Sequence, residues 1–252
     1  MYKRSLSALA LLCACTASWG ADRWTDINLA ITDRHILPRY QQLAVAGSAL
    51  EQQVHALCQE PNADTLNGAR EGFHQAMDAW QGIQHIRFGP VELFLRHSRY
   101  ELWPDKHSTG DKQIRKLLAA EDTVLLKADN FRHASVAIQG LSALERLLFA
   151  QSAEPQAFGH PGEPSYRCRL AEAIGVNVAE MGRGLVSDWR EGYRNEILTA
   201  EAGNDSFEAS QEVSAKLLNN LHTQLQAIVD QKLLRPPRGR PEADAPRLRP
   251  PS

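Results

Sequence analysis

The stretch "PSYRCRLAEAIGVNVAEMGRGLVSDW", residues 164–189, decides the fold. Its large apolar side chains recur at intervals of four or seven residues: Leu170, Ile174, Met181, Leu185 and Trp189. Residues at this spacing share one face of an α-helix, and Pro164 suits a first helical turn because proline has no amide hydrogen to donate. The stretch therefore predicts one long amphipathic helix over residues 164–200, with that face buried.

The same helical period extends through most of the chain. Residues 24–59 predict a first helix, with a bend or restart near Pro38. Residues 66–83 predict a second helix, which Asn62 or Asp64 can cap. Long helices joined by short connections pack as antiparallel bundles, so the sequence predicts an all-α fold of helical bundles.

The last predicted helix opens near Asp205 and carries its apolar face through Leu217, Leu221, Leu225 and Ile228. After it the chain becomes rich in Arg and Pro and loses the helical period, which is typical of disorder. The predicted units are a signal peptide at 1–20, a first bundle at 21–154, a long helical pair of a second, incomplete bundle at 155–234, and a disordered tail at 235–252.

The first residues predict export. Lys3 and Arg4 precede a short apolar run and then small residues, the pattern of a secretory signal peptide, so we expect a periplasmic protein. An alternative is a lipid anchor on the outer membrane through Cys15, because residues 12–15 loosely resemble a lipobox. In an oxidising compartment Cys58 and Cys168 are expected to form a disulfide; the alternative is two small buried thiols.

Composition narrows the classes of partner. The chain has 252 residues, 43% of them hydrophobic, and a formal net charge of −2, which argues against nucleic acid as a partner. The zinc-protease His-Glu-x-x-His pattern, the Gly-x-Ser-x-Gly elbow and the phosphate-binding glycine loop are absent from the sequence. Composition and motifs therefore favour a binding role over these enzyme classes.

Three segments depart from ordinary bundle sequence: "IRFGPVE" (86–92), "ELWPD" (101–105) and "GLSALE" (140–145). On a helical projection of residues 139–149, Glu145 falls between two apolar rows, so we expect its carboxylate to be buried. A buried carboxylate needs a partner. One interpretation is an ion pair with Arg87 or Arg167. The other is a polar pocket lined by Glu145, Ser142, Arg87, Asp105 and Trp103, completed by a ligand or cation; the two are compatible.

In the order of these segments, and in "LPRYQQLA", "LERLLF" and "YRCRLAEAIGVNV", residues 24–234 resemble the imelysin family of exported bacterial proteins. The resemblance implies two helical bundles related by an internal repeat and an association with iron uptake. It also implies a metal or ligand site between the bundles, marked by a Gly-x-His-x-x-Glu signature. This chain has Gly140 and Glu145 but Ser142 in place of the histidine, which removes the best metal ligand of the motif.

The leading hypothesis is therefore a non-catalytic exported protein that binds a metal or small ligand in connection with iron uptake, with iron-uptake proteins as its partners. An iron or zinc ion would be held through Glu145. Since the family's founding member was described as a peptidase, a metallopeptidase is the second hypothesis. The third is an inert structural or partner-binding lipoprotein.

Overall fold

The computed structural model of the chain describes residues 19–105 and 107–234. The predicted tail and all but the last two residues of the predicted signal peptide, Cys15 among them, lie outside the described residues. The described helices are α1 Trp19–Ile31, α2 Leu37–Gln59, α3 Ala63–Gln81, α4 Arg96–Tyr100, α5 Thr109–Ala120, α6 Ala128–Phe131, α7 Leu141–Leu148, α8 Tyr166–Asp188, α9 Arg194–Thr199 and α10 Ser210–Ala227. A pair of two-residue antiparallel strands, β1 Gly159–His160 and β2 Glu163–Pro164, lies just before α8.

Three π-helical turns join or extend the long helices. Thr32–Ile36 links α1 to α2, Trp189–Tyr193 links α8 to α9, and Ile228–Leu233 extends α10. The first of these turns ends two residues before Pro38, where the sequence predicts a bend, because proline cannot donate to the preceding turn. Short 3₁₀ turns occupy the remaining irregular positions: Gly89–Val91, Leu93–Leu95, Val136–Ile138, Pro155–Phe158 and Ala200–Ala202.

Helices α2 and α8 pack along each other at the centre of the molecule. The face predicted from the opening stretch is buried as expected, with Leu170, Ile174, Leu185 and Trp189 at 0% exposure. The two backbones approach closely at Gly182, where an added Cβ would lie 2.9 Å from the Ala44 Cα. Close backbone approach between helices needs small residues at the crossing, so this glycine sets the helix spacing.

A disulfide between Cys58 and Cys168 joins the end of α2 to the start of α8, confirming the predicted pairing. Residues from α2, α3, α7, α8 and α10 contribute to one hydrophobic core, so the units predicted on either side of residue 154 share it. The all-α fold class is confirmed, with the small hairpin as its one addition among the described residues. No helix in the described part of the chain is long and apolar enough to cross a membrane.

Two helical predictions were wrong in detail. The helical projection of residues 139–149 assumed one continuous helix, but the Gly140 backbone is extended and begins the short α7, which ends at Leu148 and follows a 3₁₀ turn, Val136–Ile138. In α10, Leu217 is buried, whereas Leu221 and Leu225 are 48% and 54% exposed. The inner face of the second half of α10 carries Asn220 and Gln224 instead, both half-buried.

Candidate functional site

Two of the three unusual segments lie directly against each other. A Cβ added to Gly140 would lie 1.9 Å from the Arg99 carbonyl oxygen and 2.4 Å from the Tyr100 carbonyl oxygen. Any side chain at position 140 would therefore overlap the backbone that leads into "ELWPD". Tyr100 is fixed in turn, because its hydroxyl donates to the Val178 carbonyl of α8 at 3.0 Å. The contact places the start of α7 beside residues 99–105.

Asp105 joins the same junction through its carboxylate. Its two oxygens accept from the backbone N–H groups of Thr109 and Gly110 at 2.7 and 2.9 Å, which caps α5. Arg146 of α7 forms an ion pair with it at 3.2 Å. Burial alone would raise the pKa of Asp105, but the backbone hydrogen bonds and Arg146 outweigh burial and lower that pKa. Asp105 thus ties α5 to α7, a structural role that leaves both oxygens occupied.

The expectation that Glu145 is buried was wrong. Its side chain is exposed, and the neighbouring Arg146 is half-buried instead. The second apolar row that was expected to cover Glu145 does not form, because Ile138 lies in the separate 3₁₀ turn and Phe149 is 39% exposed. Glu145 therefore lies at the edge of the buried face of α7.

The two arginines proposed as partners for Glu145 have other roles. Arg167 donates to the Leu147 carbonyl oxygen and to the Ser152 hydroxyl. The Arg87 side chain is exposed, and its backbone N–H donates to the Asn220 side-chain oxygen at 2.6 Å. Among the described residues, neither arginine forms an ion pair with Glu145.

The carboxylate drawn out of water is Glu101, which sequence reasoning did not select. Its Oε2 accepts from the Trp80 indole N–H at 2.8 Å. Burial raises the pKa of Glu101; Trp80 and Lys232 oppose this rise, and the nearby Glu145 carboxylate adds to it. A signal was available, since Glu101 opens the "ELWPD" segment and a buried tryptophan needs a hydrogen-bond acceptor.

The Glu101 carboxylate lies within electrostatic range of Glu145 and of Lys232, and Lys232 in turn lies over the Trp103 ring. We call these four residues the junction site. The Lys232 ammonium lies 4.9 Å from the Trp103 ring centroid, and Trp103 is 39% exposed. Lys232 belongs to the π-helical extension of α10, so residues distant in sequence converge here. Ser142, half-buried, lies one helical turn before Glu145 on α7.

His97 and Arg87 lie close to the junction site. The His97 imidazole contacts the Trp80 ring at 5.0 Å between centroids, and its Nε2 lies 3.0 Å from the Gln84 carbonyl oxygen. Burial, with the positive charge of Arg87, lowers the pKa of His97 to about 4. His97 is therefore neutral at neutral pH, and its Nε2–H donates to Gln84.

The donor set at the junction site is poor in metal ligands. Among the described residues, no group of three or more His, Cys, Asp or Glu side chains lies close enough to hold a metal ion. A tightly bound zinc ion takes three or four protein ligands, whereas this site offers two carboxylates. The residues do not fit a zinc or iron centre held by the protein alone.

A family model described as imelysin, peptidase family M75, matches residues 36–248. A curated relative, iron-regulated protein A from Synechococcus elongatus (strain ATCC 33912 / PCC 7942 / FACHB-805), is 24% identical over 207 residues. That match covers 80% of this chain and 52% of the relative, so the chain spans about half of the relative's length.

A solved structure of an imelysin-like protein from Psychrobacter arcticum 273-4 has a similar fold. The TM-score is 0.70 at 16% sequence identity, and the match covers 84% of this chain and 62% of the solved one. At this identity the similarity establishes the helical fold and leaves function to the site.

Proposed function

Because the chain belongs to the imelysin family, we propose that it is an exported, non-catalytic binding protein with a role in iron acquisition. Its ligand is a metal-bearing small molecule held at the junction site. The observation that carries the proposal is the convergence of two carboxylates from separate segments, Glu101 and Glu145, one of them drawn out of water. The name of the relative, iron-regulated protein A, supports the connection with iron.

The two carboxylates supply part of a coordination shell, and the small ligand supplies the rest. Carboxylate oxygens suit hard cations, and a positive charge beside Glu101 would oppose the effect of burial on its pKa. Trp103, two residues after Glu101 in the chain, offers a partly exposed apolar surface next to Lys232. The site thus combines charge and an apolar wall, as small-ligand sites commonly do.

The geometry favours binding over peptide hydrolysis. A catalytic zinc ion needs three protein ligands and an open position, and the described residues supply no such cluster. Ser142 is the second residue of α7, and among the described residues no histidine hydrogen-bonds to its hydroxyl, as activation of a serine nucleophile would require. The second role, a metallopeptidase, would require ligands that the junction site does not offer.

Titration of the purified protein with ferric nitrilotriacetate tests the site. Saturable binding is expected for wild type, with roughly tenfold weaker affinity in Glu101→Gln and in Glu145→Gln, since a tenfold change corresponds to about 1.4 kcal/mol. Glu163→Gln, an exposed carboxylate on the hairpin, is the matched control and should bind like wild type. Equal affinity in all four proteins would refute the junction site.

Two further measurements test the proposed role in iron acquisition and the absence of peptidase activity. Growth under iron restriction should raise the amount of this protein, and unchanged amounts would remove the link to iron. Incubation with an unfolded protein substrate should give no cleavage, with or without a chelator. Cleavage that a chelator abolishes would favour the metallopeptidase instead.

A further inference from the structure

A cleft of about 550 Å³ opens between α4, the end of α6 and α8, and no junction-site residue lines it. Its polar lining consists of Arg96, Arg99, Arg132, His133, Asn177 and Glu180. Three guanidinium groups therefore face one cavity with a single carboxylate. This balance is opposite to that of the junction site.

Arg99 is held in this cleft by neutral groups. Its Nε donates to the Gln139 side-chain oxygen at 2.6 Å, and its Nη2 donates to the Asn177 side-chain oxygen at 2.7 Å. Both amides are buried, at 1% and 6% exposure. The Asn177 NH₂ group donates to the Gln139 backbone carbonyl, and the Gln139 side-chain NH₂ group donates to the Ala134 carbonyl, which fixes both amide oxygens toward the guanidinium. Arg99 is therefore rigidly aimed, and its positive charge is not neutralised by these contacts.

The other two arginines have carboxylate partners outside the lining. Arg96 pairs with Asp188, and Arg132 pairs with Asp129, whose side chain is 91% exposed. Among the described residues, Arg99 forms no ion pair. Burial, followed by repulsion from Arg96 and Arg132, lowers the pKa of Arg99, although the Glu180 carboxylate in the same lining attracts its charge and opposes this change. Glu180 therefore offsets the charge of Arg99 only at a distance; a half-buried cation without a direct ion-pair partner is unfavourable, and a bound anion would offset that cost.

The rim of the cleft is strained and apolar. Phe94 and Leu95 are consecutive non-glycine residues in the left-handed region, at φ 55° and 56°. Each such residue costs on the order of 1–2 kcal/mol, and strain of this kind clusters at ligand clamps. Their side chains are 75% and 64% exposed, and the Phe94 ring centroid lies 5.7 Å from the Arg96 guanidinium carbon. The strained turn thus presents an apolar edge beside the arginines.

We propose that this cleft binds a small multivalent oxyanion, either inorganic phosphate or a polycarboxylate, through the guanidinium groups of Arg99 and Arg132. Arg99 forms the fixed end of the site, and Arg132, which is half-exposed, closes on the anion from the side. Arginine suits this role because its planar fork donates paired hydrogen bonds to carboxylate and phosphate oxygens. The site goes beyond the proposed function, since the junction site takes a cation-bearing ligand.

Calorimetric titrations with inorganic phosphate and with citrate test the proposal. We expect one saturable site for at least one of the two anions, weakened by added salt because the contacts are ionic. Arg99→Gln should lower the affinity at least about tenfold, and Arg132→Gln by about threefold to tenfold. Arg115→Gln, an exposed arginine paired with Asp111 on α5, is the matched control and should bind like wild type.

The relative affinities for phosphate and citrate identify which kind of anion the cleft prefers. Tighter binding of phosphate assigns a phosphate group, and tighter binding of citrate assigns a polycarboxylate. Saturation by neither anion overturns the proposal, as does binding that Arg99→Gln and Arg132→Gln both leave unchanged. Since Arg99→Gln also removes structural hydrogen bonds, Arg132→Gln, on the surface, keeps the test valid if the first variant fails to fold. Glu101→Gln should bind the anion normally, which separates this cleft from the junction site.

Discussion

The α2–α8 pair and the segment between residues 82 and 165 are held together by different means. In the pair, apolar side chains at helical spacing fill the contact, and the buried face is continuous over many turns. In the segment, the helices are short, and individual polar contacts to backbone groups fix their positions. Arg70 of α3, for example, donates to the carbonyl oxygens of Leu148 and Ala153.

This difference shows in which parts of the molecule the hydrophobic pattern of the sequence predicts the structure. A long helix repeats its preference many times, so a single exception barely changes the packing. In the 82–165 segment a single contact, such as Gly140 on the Arg99 and Tyr100 carbonyls, has no repeat to support it. Both proposed sites use residues of this segment, so the proposed functions fall where backbone contacts, rather than periodicity, determine the structure.

Removing the Cys58–Cys168 disulfide should have the largest effect on the long-helix pair. The bridge closes a loop with a sequence separation of 110, so opening it frees the unfolded chain. We expect the free energy of unfolding to fall by about 4 kcal/mol in a Cys58→Ala, Cys168→Ala double variant. Denaturant titration measures this change, and a reductant should lower the stability of wild type only. A loss below about 1 kcal/mol would mean that side-chain packing alone holds the pair.

Gly140→Ala tests the segment in the same way. The added methyl group would overlap two carbonyl oxygens of rigid backbone, so we expect a loss of about 3 kcal/mol in the free energy of unfolding. Gly192→Ala is the control, because a Cβ there meets no atom within 4 Å. It should leave stability unchanged or raise it by up to about 1 kcal/mol. Equal stability of the two variants would show that the backbone around Gly140 shifts at little cost to accommodate the methyl group.

A pair of leucine variants tests the corrected face of α10. Leu217→Ala should cost about 2 kcal/mol, because its side chain is 9% exposed and its removal leaves a cavity. Leu221→Ala, at 48% exposure, should cost less than about 1 kcal/mol. Thermal and denaturant unfolding of both variants measure the difference. Comparable losses of stability in the two variants would support the buried face that the sequence predicted for α10.

Glu101→Gln should have the smallest effect at neutral pH. Because burial raises the folded-state pKa of Glu101, its protonation favours the folded state, and this contribution is lost as the pH rises through the folded pKa. Glutamine keeps an acceptor for the Trp80 N–H and carries no charge. Stability at pH 7 should therefore be unchanged or higher, with a flatter pH dependence between the unfolded pKa of about 4.3 and the folded one. A fall of more than about 1 kcal/mol at pH 7 would contradict this account.

The long helices could be predicted from the sequence because their signal is redundant. Leu170, Ile174 and Trp189 mark the buried face of α8, and Asn62 caps α3 with its side chain on the N–H groups of Asp64 and Thr65. The Cys58–Cys168 pairing was predicted from the expected export and the number of cysteines, and the disulfide is present.

The candidate site could be located only in part. "ELWPD" and "GLSALE" do meet, but Glu145 is exposed and Glu101 is the carboxylate drawn out of water. A helical projection describes one element at a time, so it cannot include a burying neighbour such as Trp80, which comes from another helix. Arg99 was not selected from the sequence for the same reason, since its hydrogen-bond partners Gln139 and Asn177 belong to separate segments.

The covalent bond between Cys58 and Cys168 also determines how the chain would respond to a protease. The loops around Pro104, Glu121 and Gln151 lie between the two cysteines in sequence, so a single cut in any of them would release no fragment. On a gel the nicked protein would migrate as one band until a thiol reagent separated its pieces. A damaged molecule would thus retain both of its long central helices in one covalent unit.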